Sequence, residues 1–217
     1  MDAAISGDFW EARPSFDSIG PTMPPVPDHK PSGVLPPFLG DSPDETSALM
    51  SPYRVSLKDV IERFATSEER KRILSGYLEH RAALRRIGVN RGFQWLVGSF
   101  VDRTPREPND LDLVTFFYAP PEWDTIGAYQ AGLDSNKELF DPGIAKATFK
   151  CDAQFVRLDD DDATGMVQLV SYWLGLFSHQ KGTHTWRGIV SVHLSAIDED
   201  GPARAALSLA PFKREAI

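Results

Sequence analysis

The stretch Leu96–Phe117, LVGSFVDRTPREPNDLDLVTFF, indicates both the fold and the chemistry of this chain. An apolar segment ends at Gly98 and Ser99, ten residues follow, and Asp110 and Asp112 then open a second apolar segment. Because residues i and i+2 of a strand project from the same face, the two carboxylates are predicted to point together. Like charges held that close are costly to bury unless a cation compensates them. Packing alone therefore does not account for this pattern.

These residue types favour a divalent cation and a phosphate group. Hard carboxylate oxygens suit Mg²⁺ or Mn²⁺. Glycine at position 98 lets a phosphate approach the backbone closely, and the N–H of Ser99 can then donate to it. In the loop that follows, Arg103 and Arg106 can each neutralise a phosphate. The ligand expected between such a phosphate site and such a metal site would be a nucleoside triphosphate, either NTP or dNTP.

A third carboxylate, Asp152, lies on another predicted strand within FKCDAQFV. If this strand pairs beside the strand at 111–118, Asp152 faces Asp110 and Asp112 and completes a two-metal site. Its role would be to bind metal and to act as, or align, the base for an incoming hydroxyl. Two alternatives stay open: Asp152 as a solvent-facing edge residue, and Asp110 as a turn residue in the PND sequence.

Other charged and metal-ligating residues allow simpler interpretations. Lys181 and Arg187 lie near the last predicted strand, where they either reach a triphosphate or an acceptor strand, or serve as exposed surface cations. The acidic run Asp159–Asp162 is predicted to be a solvated loop. His179 and His184 lie close in sequence, but no CxxC motif accompanies them, which argues against a zinc site.

Composition indicates a soluble cytoplasmic protein without membrane segments. The net charge of −8 argues against coating of duplex DNA through a broad basic face. The chain begins without a basic, apolar leader, and its apolar runs are shorter than the ~18 residues of a membrane span. One cysteine, Cys151, excludes an internal disulfide and suggests a reducing compartment. We expect Cys151 to be an inert core thiol.

The sequence predicts three parts of the chain, the first of which is marked by its proline content. Nine of the 17 prolines lie within the first 43 residues. Because proline fixes φ and lacks a backbone donor, residues 1–32 are predicted to be a disordered or extended leader. Residues 33–198 are predicted to form the domain, with 33–40 docking an apolar strip on the core or on a partner. Residues 199–217 are predicted to form a tail or a short helix.

Capping motifs and periodicity predict the helices. SLKD and TSEE are capping boxes with Ser56 and Thr66 as N-caps, and Gly88 is a natural stop for the second helix. A late apolar helix is capped by Asp162 or Thr164. Its large side chains are predicted to face the core: Met166, Leu169, Val170, Trp173, Leu174 and Phe177.

Alternating polar and apolar residues predict the strands. These lie at residues 93–97, 111–118, 147–158 and 187–197. Between the second and third, APPEW opens a short helix through about Tyr129, and residues 132–143 are predicted to be a loop or a weak helix.

The pattern of Gly-Ser, ten residues, Asp-x-Asp and a separate strand aspartate resembles the DNA polymerase β-type nucleotidyltransferase superfamily. More narrowly, it resembles the minimal nucleotidyltransferases of bacterial toxin–antitoxin and phage-defence loci. A wider run, over about residues 33–195, is similar to one nucleotidyltransferase-like family of unknown function. This run includes GVLPPF, ERFATSEERKRIL, GSFVDRTPREPNDLDL and SYWLGLFSHQKGTHTWRGIVSV.

The resemblance implies an α/β fold with a mixed sheet flanked by helices. It implies that Gly98 and Ser99 bind the triphosphate and that Asp110, Asp112 and Asp152 bind metal. The implied activity is transfer of a nucleoside monophosphate to a hydroxyl of an RNA 3′ end, a protein side chain, or another nucleotide or oligonucleotide. A cognate effector or toxin and a second copy of the chain are the implied protein partners. The alternatives are a catalytically silent antitoxin, sensor or partner-binding module, and a nuclease that uses the same carboxylates.

Overall fold

The fold is built on a mixed sheet, which a computed structural model describes for residues 25–40, 49–104, 106–195 and 197–210, with the backbone alone at 197–199. Five strands of the described chain lie in the order β1-β5-β2-β3-β4. Their bounds are β1 Tyr53–Arg54, β2 Gly92–Val97, β3 Leu111–Phe117, β4 Cys151–Arg157 and β5 Val190–His193. β2 is antiparallel to both β3 and β5, whereas β4 is parallel to β3 and β1 is parallel to β5.

Helices flank both faces of this sheet, which confirms the predicted mixed α/β class. Their bounds are α1 Leu57–Phe64, α2 Glu68–Arg86, α3 Ile126–Ser135, α4 Lys137–Phe140, α5 Pro142–Phe149, α6 Ala163–Phe177 and α7 Ile197–Leu209. Short 3-10 helices occupy Gly98–Val101 and Pro121–Trp123. In the part of the chain that the structure describes, each helix is too short or too polar to cross a membrane.

The first two helices begin at side-chain caps. Ser56 Oγ accepts a hydrogen bond from Asp59 N at 3.1 Å, as the capping box predicts. For α2 the predicted cap was wrong by one residue: Ser67, not Thr66, accepts from Arg70 N at 3.2 Å. The reason is that Thr66 N donates to Phe64 O, so Thr66 still belongs to the turn that ends α1.

The polar stretch before β4 is helical rather than looped. Asp141 Oδ1 accepts from the N–H groups of Gly143 and Ile144, and Pro142 takes the first helical position, where its missing donor costs nothing. α5 ends at Lys150, whose φ is 58°. The predicted third strand therefore begins at Cys151, because its first four residues close α5 instead.

The two faces of the sheet are filled differently. Leu111, Leu113, Cys151 and Ala153 point into the main core, which α1, α2, α5 and α7 cover. Cys151 is fully buried, as predicted. The opposite face holds a smaller core that contains Trp95, Val97, Val114, Phe116 and Val156, with α6 packed on it.

Helix α6 is less buried than its apolar sequence predicts. Val170, Trp173 and Phe177 pack partly against the smaller core. However, Leu169 and Leu174 are 46% and 40% exposed, so the prediction that they face a core was wrong. The physical reason is that α6 contacts the sheet along one side only, and the described chain supplies no layer on its other side.

The terminal segments contact the domain. Residues 1–24 of the predicted leader lie outside the described residues, but Val26 belongs to the main core. Val34 and Leu35 are fully buried, as predicted for the apolar strip at 33–40. Near the other end, α7 begins two residues before the predicted tail, and its Ala203 is buried in the main core.

Candidate functional site

The parallel pairing of β3 with β4 brings two predicted acids side by side. Asp112 and Asp152 are direct register partners. Both project from the sheet face that carries α6, because their neighbours Leu111, Leu113, Cys151 and Ala153 point into the opposite core. Asp110 precedes β3 by one residue, and its side chain is 14% exposed. The three predicted aspartates thus lie together at one end of adjacent strands.

Lys146 lies between the two outer aspartates. From α5 its ammonium forms ion pairs with Asp110 and, at 3.2 Å, with Asp152. These two hydrogen-bonded carboxylates raise the pKa of Lys146, so this side chain is firmly charged. Lys146 was not among the site residues predicted from the sequence. Its signal was Asp141-Pro142, an N-cap followed by a first-turn proline, which indicates that a helix and not a strand leads into Asp152.

Asp112 is the member of the cluster whose charge is least compensated. Burial raises the pKa of Asp112 to about 6, and the charges of Asp110 and Asp152 act in the same direction. The positive charges of Lys146 and Lys181 oppose this increase without cancelling it. A desolvated carboxyl flanked by two others is an arrangement that occurs mainly at functional sites.

The glycine turn after β2 packs directly on Asp112. Gly98 has a φ of +75°, a conformation that favours glycine, and a Cβ built there would lie 1.8 Å from Oδ2 of Asp112. Any other residue at this position would displace the carboxylate. Ser99, the next residue, is exposed at the surface of the turn. The two halves of the stretch Leu96–Phe117 therefore meet in space.

Buried arginines hold this turn in place. Arg70 donates from Nη1 to the carbonyl of Phe100 at 2.7 Å and from Nη2 to the carbonyl of Asp102 at 3.0 Å. Arg187 Nη1 donates to Oδ2 of Asp102 at 3.0 Å. Arg187 is buried, so its interpretation as a surface cation was wrong: it neutralises a carboxylate that is itself inside the protein. Burial raises the pKa of Asp102, and Arg187 opposes this effect.

The remaining predicted phosphate ligands lie at the surface. Arg103 and Arg106 are exposed, and within the described residues neither shares a hydrogen bond or ion pair with the three aspartates. The backbone N–H of Arg103 donates to Gly33 O at 2.7 Å, which ties this loop to the N-terminal strip. Lys181 is also exposed, and its charge acts on Asp112.

The donor set suits a hard divalent cation, although the described residues contain no ready-made group of three metal ligands. The ammonium of Lys146 takes the space between Asp110 and Asp152. A metal ion held by Asp110, Asp112 and Asp152 would displace that ammonium. It would also stabilise the ionised form of Asp112, whose pKa is raised by burial and by the charges of Asp110 and Asp152. By contrast, Asp162 of the acidic run caps α6, accepting from Gly165 N at 2.9 Å.

Comparison with known proteins places this site within a family. No curated protein shows significant similarity to the chain. The model of a family of unknown function, DUF6932, matches residues 27–193, a range that contains the turn, all three aspartates, Lys146 and the two arginines that hold the turn. Since this match covers most of the chain, the protein belongs to the DUF6932 family.

Proposed function

We propose that the chain is a metal-dependent nucleotidyltransferase, which moves a nucleoside monophosphate from an NTP or dNTP to a hydroxyl acceptor. The observation that carries the proposal is the pairing of Asp112 with Asp152 directly beside the Gly98 turn. This arrangement puts the turn, whose Ser99 is exposed, next to converging carboxylates, and catalysis of phosphoryl transfer consists mainly of positioning and charge stabilisation.

Each residue has a distinct role in this proposal. Asp110, Asp112 and Asp152 would hold Mg²⁺ or Mn²⁺, which when bound supplies neutralisation of the triphosphate charge. Ser99 and the turn backbone bind the β- and γ-phosphates. Asp152, whose side chain is 31% exposed, is accessible to an acceptor and accepts or directs the proton of the attacking hydroxyl. The acceptor oxygen bonds to the α-phosphorus as the bond from that phosphorus to the bridging oxygen breaks, and pyrophosphate leaves toward the turn. The positive charge of Lys181, which acts on Asp112, would oppose the negative charge of the leaving group.

The resemblance found in the sequence supports a cellular setting for this activity. We extend the proposal to a cytoplasmic enzyme of bacterial phage defence or of a toxin–antitoxin system, with a cognate effector or toxin protein as partner. The acceptor is an RNA 3′ end, a protein side chain, or another nucleotide or oligonucleotide. The proposed partners also include a second copy of this chain, which would form a homo-oligomer.

The test is nucleotide transfer by the purified full chain. Each labelled NTP and dNTP is incubated with Mg²⁺ or Mn²⁺ and total cellular RNA, beside the Asp110→Ala, Asp112→Ala double variant. We expect pyrophosphate release and label transfer with the unmodified chain alone. Loss of RNA without added triphosphate would instead identify a nuclease.

A second candidate is a catalytically silent antitoxin, sensor or partner-binding module. Lys146 favours it, because an ammonium between Asp110 and Asp152 can replace a metal ion permanently. The two candidates differ in what happens when Lys146 is removed. If metal normally displaces the ammonium, Lys146→Met removes the group that competes with Mg²⁺ for Asp110 and Asp152. Because such an ion pair contributes about 1 kcal/mol, Mg²⁺ should then bind about fivefold more tightly.

Calorimetric titration of the apo protein with Mg²⁺ measures this difference directly. Lys150→Met is the matched control, because the side chains of Lys150 and Lys146 are equally exposed, at 47% and 49%. Lys150 differs in that it pairs with Glu69, outside the aspartate cluster. Tighter Mg²⁺ binding by Lys146→Met alone supports the enzyme. Millimolar Mg²⁺ that binds neither the unmodified chain nor Lys146→Met would favour the silent module.

A further inference from the structure

Residues 178–187 form a short hairpin between α6 and β5. Gln180 N donates to Thr185 O at 2.9 Å, and His184 N donates to Gln180 O at 3.0 Å. Left-handed backbone at Gly182 and His184 closes the tip. Lys181 stands at this exposed tip, so its position depends on how the base of the hairpin is anchored.

The base of the hairpin is fastened to the loop that follows β2. Arg187 Nη1 donates to Asp102 Oδ2 at 3.0 Å, and Gln180 Nε2 reaches the same oxygen at 3.4 Å. The other side of the guanidinium donates to the carbonyls of Phe177 and His179 at 3.2 and 3.4 Å. One buried arginine thus joins both ends of the hairpin to Asp102.

Asp102 also closes the glycine turn. Its backbone N–H donates to Ser99 O at 3.3 Å, and its carbonyl accepts from Arg70 at 3.0 Å. The side chain of Asp102 therefore faces the hairpin while its backbone completes the turn beside Asp112. Through this one residue, the hairpin and the turn have a fixed relative position.

This buried pair is more polar than packing requires. The side chains of Asp102 and Arg187 are 2% and 7% exposed, and among the described residues Oδ1 of Asp102 has no hydrogen-bond partner. Replacing a buried ion pair by apolar residues of similar size is often neutral or stabilising. A pair that costs desolvation but fixes geometry fits a positioning role.

We propose that Asp102 and Arg187 are positioning residues that hold Lys181 over the phosphate side of the site, so that the hairpin is a second wall for the polyphosphate of a nucleoside triphosphate. The inference rests on the proposed function. The glycine turn contacts the polyphosphate from one side. The Lys181 ammonium contacts it from the other side as a compact positive charge on a flexible side chain, whose backbone is held by the hairpin. A nucleoside monophosphate lacks the β- and γ-phosphates and does not reach Lys181.

A double-mutant cycle on the full chain tests this coupling. The dissociation constants of ATP, CTP, GTP and UTP, and of the four monophosphates, are measured with Mg²⁺ for Lys181→Ala, Arg187→Gln and the double variant. We expect each single variant to weaken triphosphate binding about tenfold, the loss of one charge-assisted contact, and to leave monophosphate binding unchanged. The double variant is expected to be within about twofold of Arg187→Gln.

Two further variants keep the test decisive. Lys58→Ala removes the same charge from α1, where Lys58 pairs with Glu62, and is expected to bind like the unmodified chain. An insertion of two glycines after Gly182 moves Lys181 without touching the buried pair, and it answers the question even if Arg187→Gln does not fold. The insertion is expected to reproduce the loss seen with Lys181→Ala.

The failure of this inference is distinguishable from failure of the proposed function. If the unmodified chain binds triphosphates but the effects of Lys181→Ala and Arg187→Gln are fully additive, or monophosphate binding falls equally, the positioning role is overturned and the enzyme proposal stands. If the unmodified chain binds none of these triphosphates and none of the four dNTPs, both are overturned.

Discussion

Replacing Asp112 by asparagine would remove the least compensated charge of the cluster while preserving side-chain size. Burial, followed by the charges of Asp110 and Asp152, raises the pKa of Asp112 from 3.8 to about 6. The folded chain therefore holds this proton more tightly than the unfolded chain does. It follows that the free energy of unfolding falls as the pH rises from about 4 to about 6, and that the ionised carboxylate destabilises the fold above pH 6.

The size of the effect follows from the pKa difference. One pKa unit corresponds to about 1.4 kcal/mol, so ionised Asp112 lowers the free energy of unfolding by up to about 3 kcal/mol at neutral pH. Asp112→Asn never acquires the charge. We expect it to be more stable than the unmodified chain by up to this amount at pH 7.5, with the gain vanishing below about pH 4.

Urea unfolding in EDTA at a series of pH values measures this difference, and titrating groups common to both proteins cancel in it. Asp124→Asn is the control, because it replaces an exposed acid outside the cluster. Added Mg²⁺ is expected to stabilise the unmodified chain and not Asp112→Asn. An asparagine variant that is less stable than the unmodified chain at pH 7.5, or whose gain in stability persists at pH 4, would contradict this prediction.

Two other substitutions test the packing of the Gly98 turn and the ion pair between Arg81 and Asp200. Gly98→Ala places a Cβ 1.8 Å from Oδ2 of Asp112 at a φ of +75°, so thermal unfolding should show that the free energy of unfolding falls by at least about 1–2 kcal/mol, and Mg²⁺-dependent nucleotide binding should disappear. The control Gly127→Ala has open space around its Cβ and should be neutral or stabilising. Equal stability of the two variants would contradict this prediction. Asp200→Ala leaves the fully buried Arg81 without its ion-pair partner, so urea unfolding should show that the free energy of unfolding falls by about 3–5 kcal/mol. A fall of less than about 1 kcal/mol would show that the ion pair is not needed for stability.

The pairing of Asp112 with Asp152 was predictable because strand geometry is periodic. Two apolar segments that each carry an acid near their start, once paired in parallel, place those acids on one face. For Gly98 the sequence predicted close approach of a phosphate to the backbone, and the structure shows that the Asp112 carboxylate lies in this space. In both cases the signal is local, and the sheet only has to bring the two segments together.

The charged residues that hold the site were not predictable in this way. Arg187 lies 85 residues from Asp102, and an isolated arginine in sequence is most often a surface cation. Arg70 was hidden for the same reason, inside a helix whose periodicity drew attention to its apolar residues. Lys146 was missed because the residues before Asp152 alternate like a strand, whereas the proline-capped helix α5 overrides that pattern.

The distribution of charge within the cluster favours the enzyme over the silent module. Lys146 forms ion pairs with Asp110 and Asp152, but within the described chain it forms none with Asp112. A scaffold that had replaced its metal by an ammonium would gain most by placing that ammonium on the central carboxylate, whose pKa is raised to about 6. Instead, among the described residues, the charges of Lys146 and Lys181 act on the central carboxylate without forming an ion pair with it. Because a desolvated, ionised carboxylate lowers stability, its position against the Gly98 turn supports the proposal that a cation neutralises it.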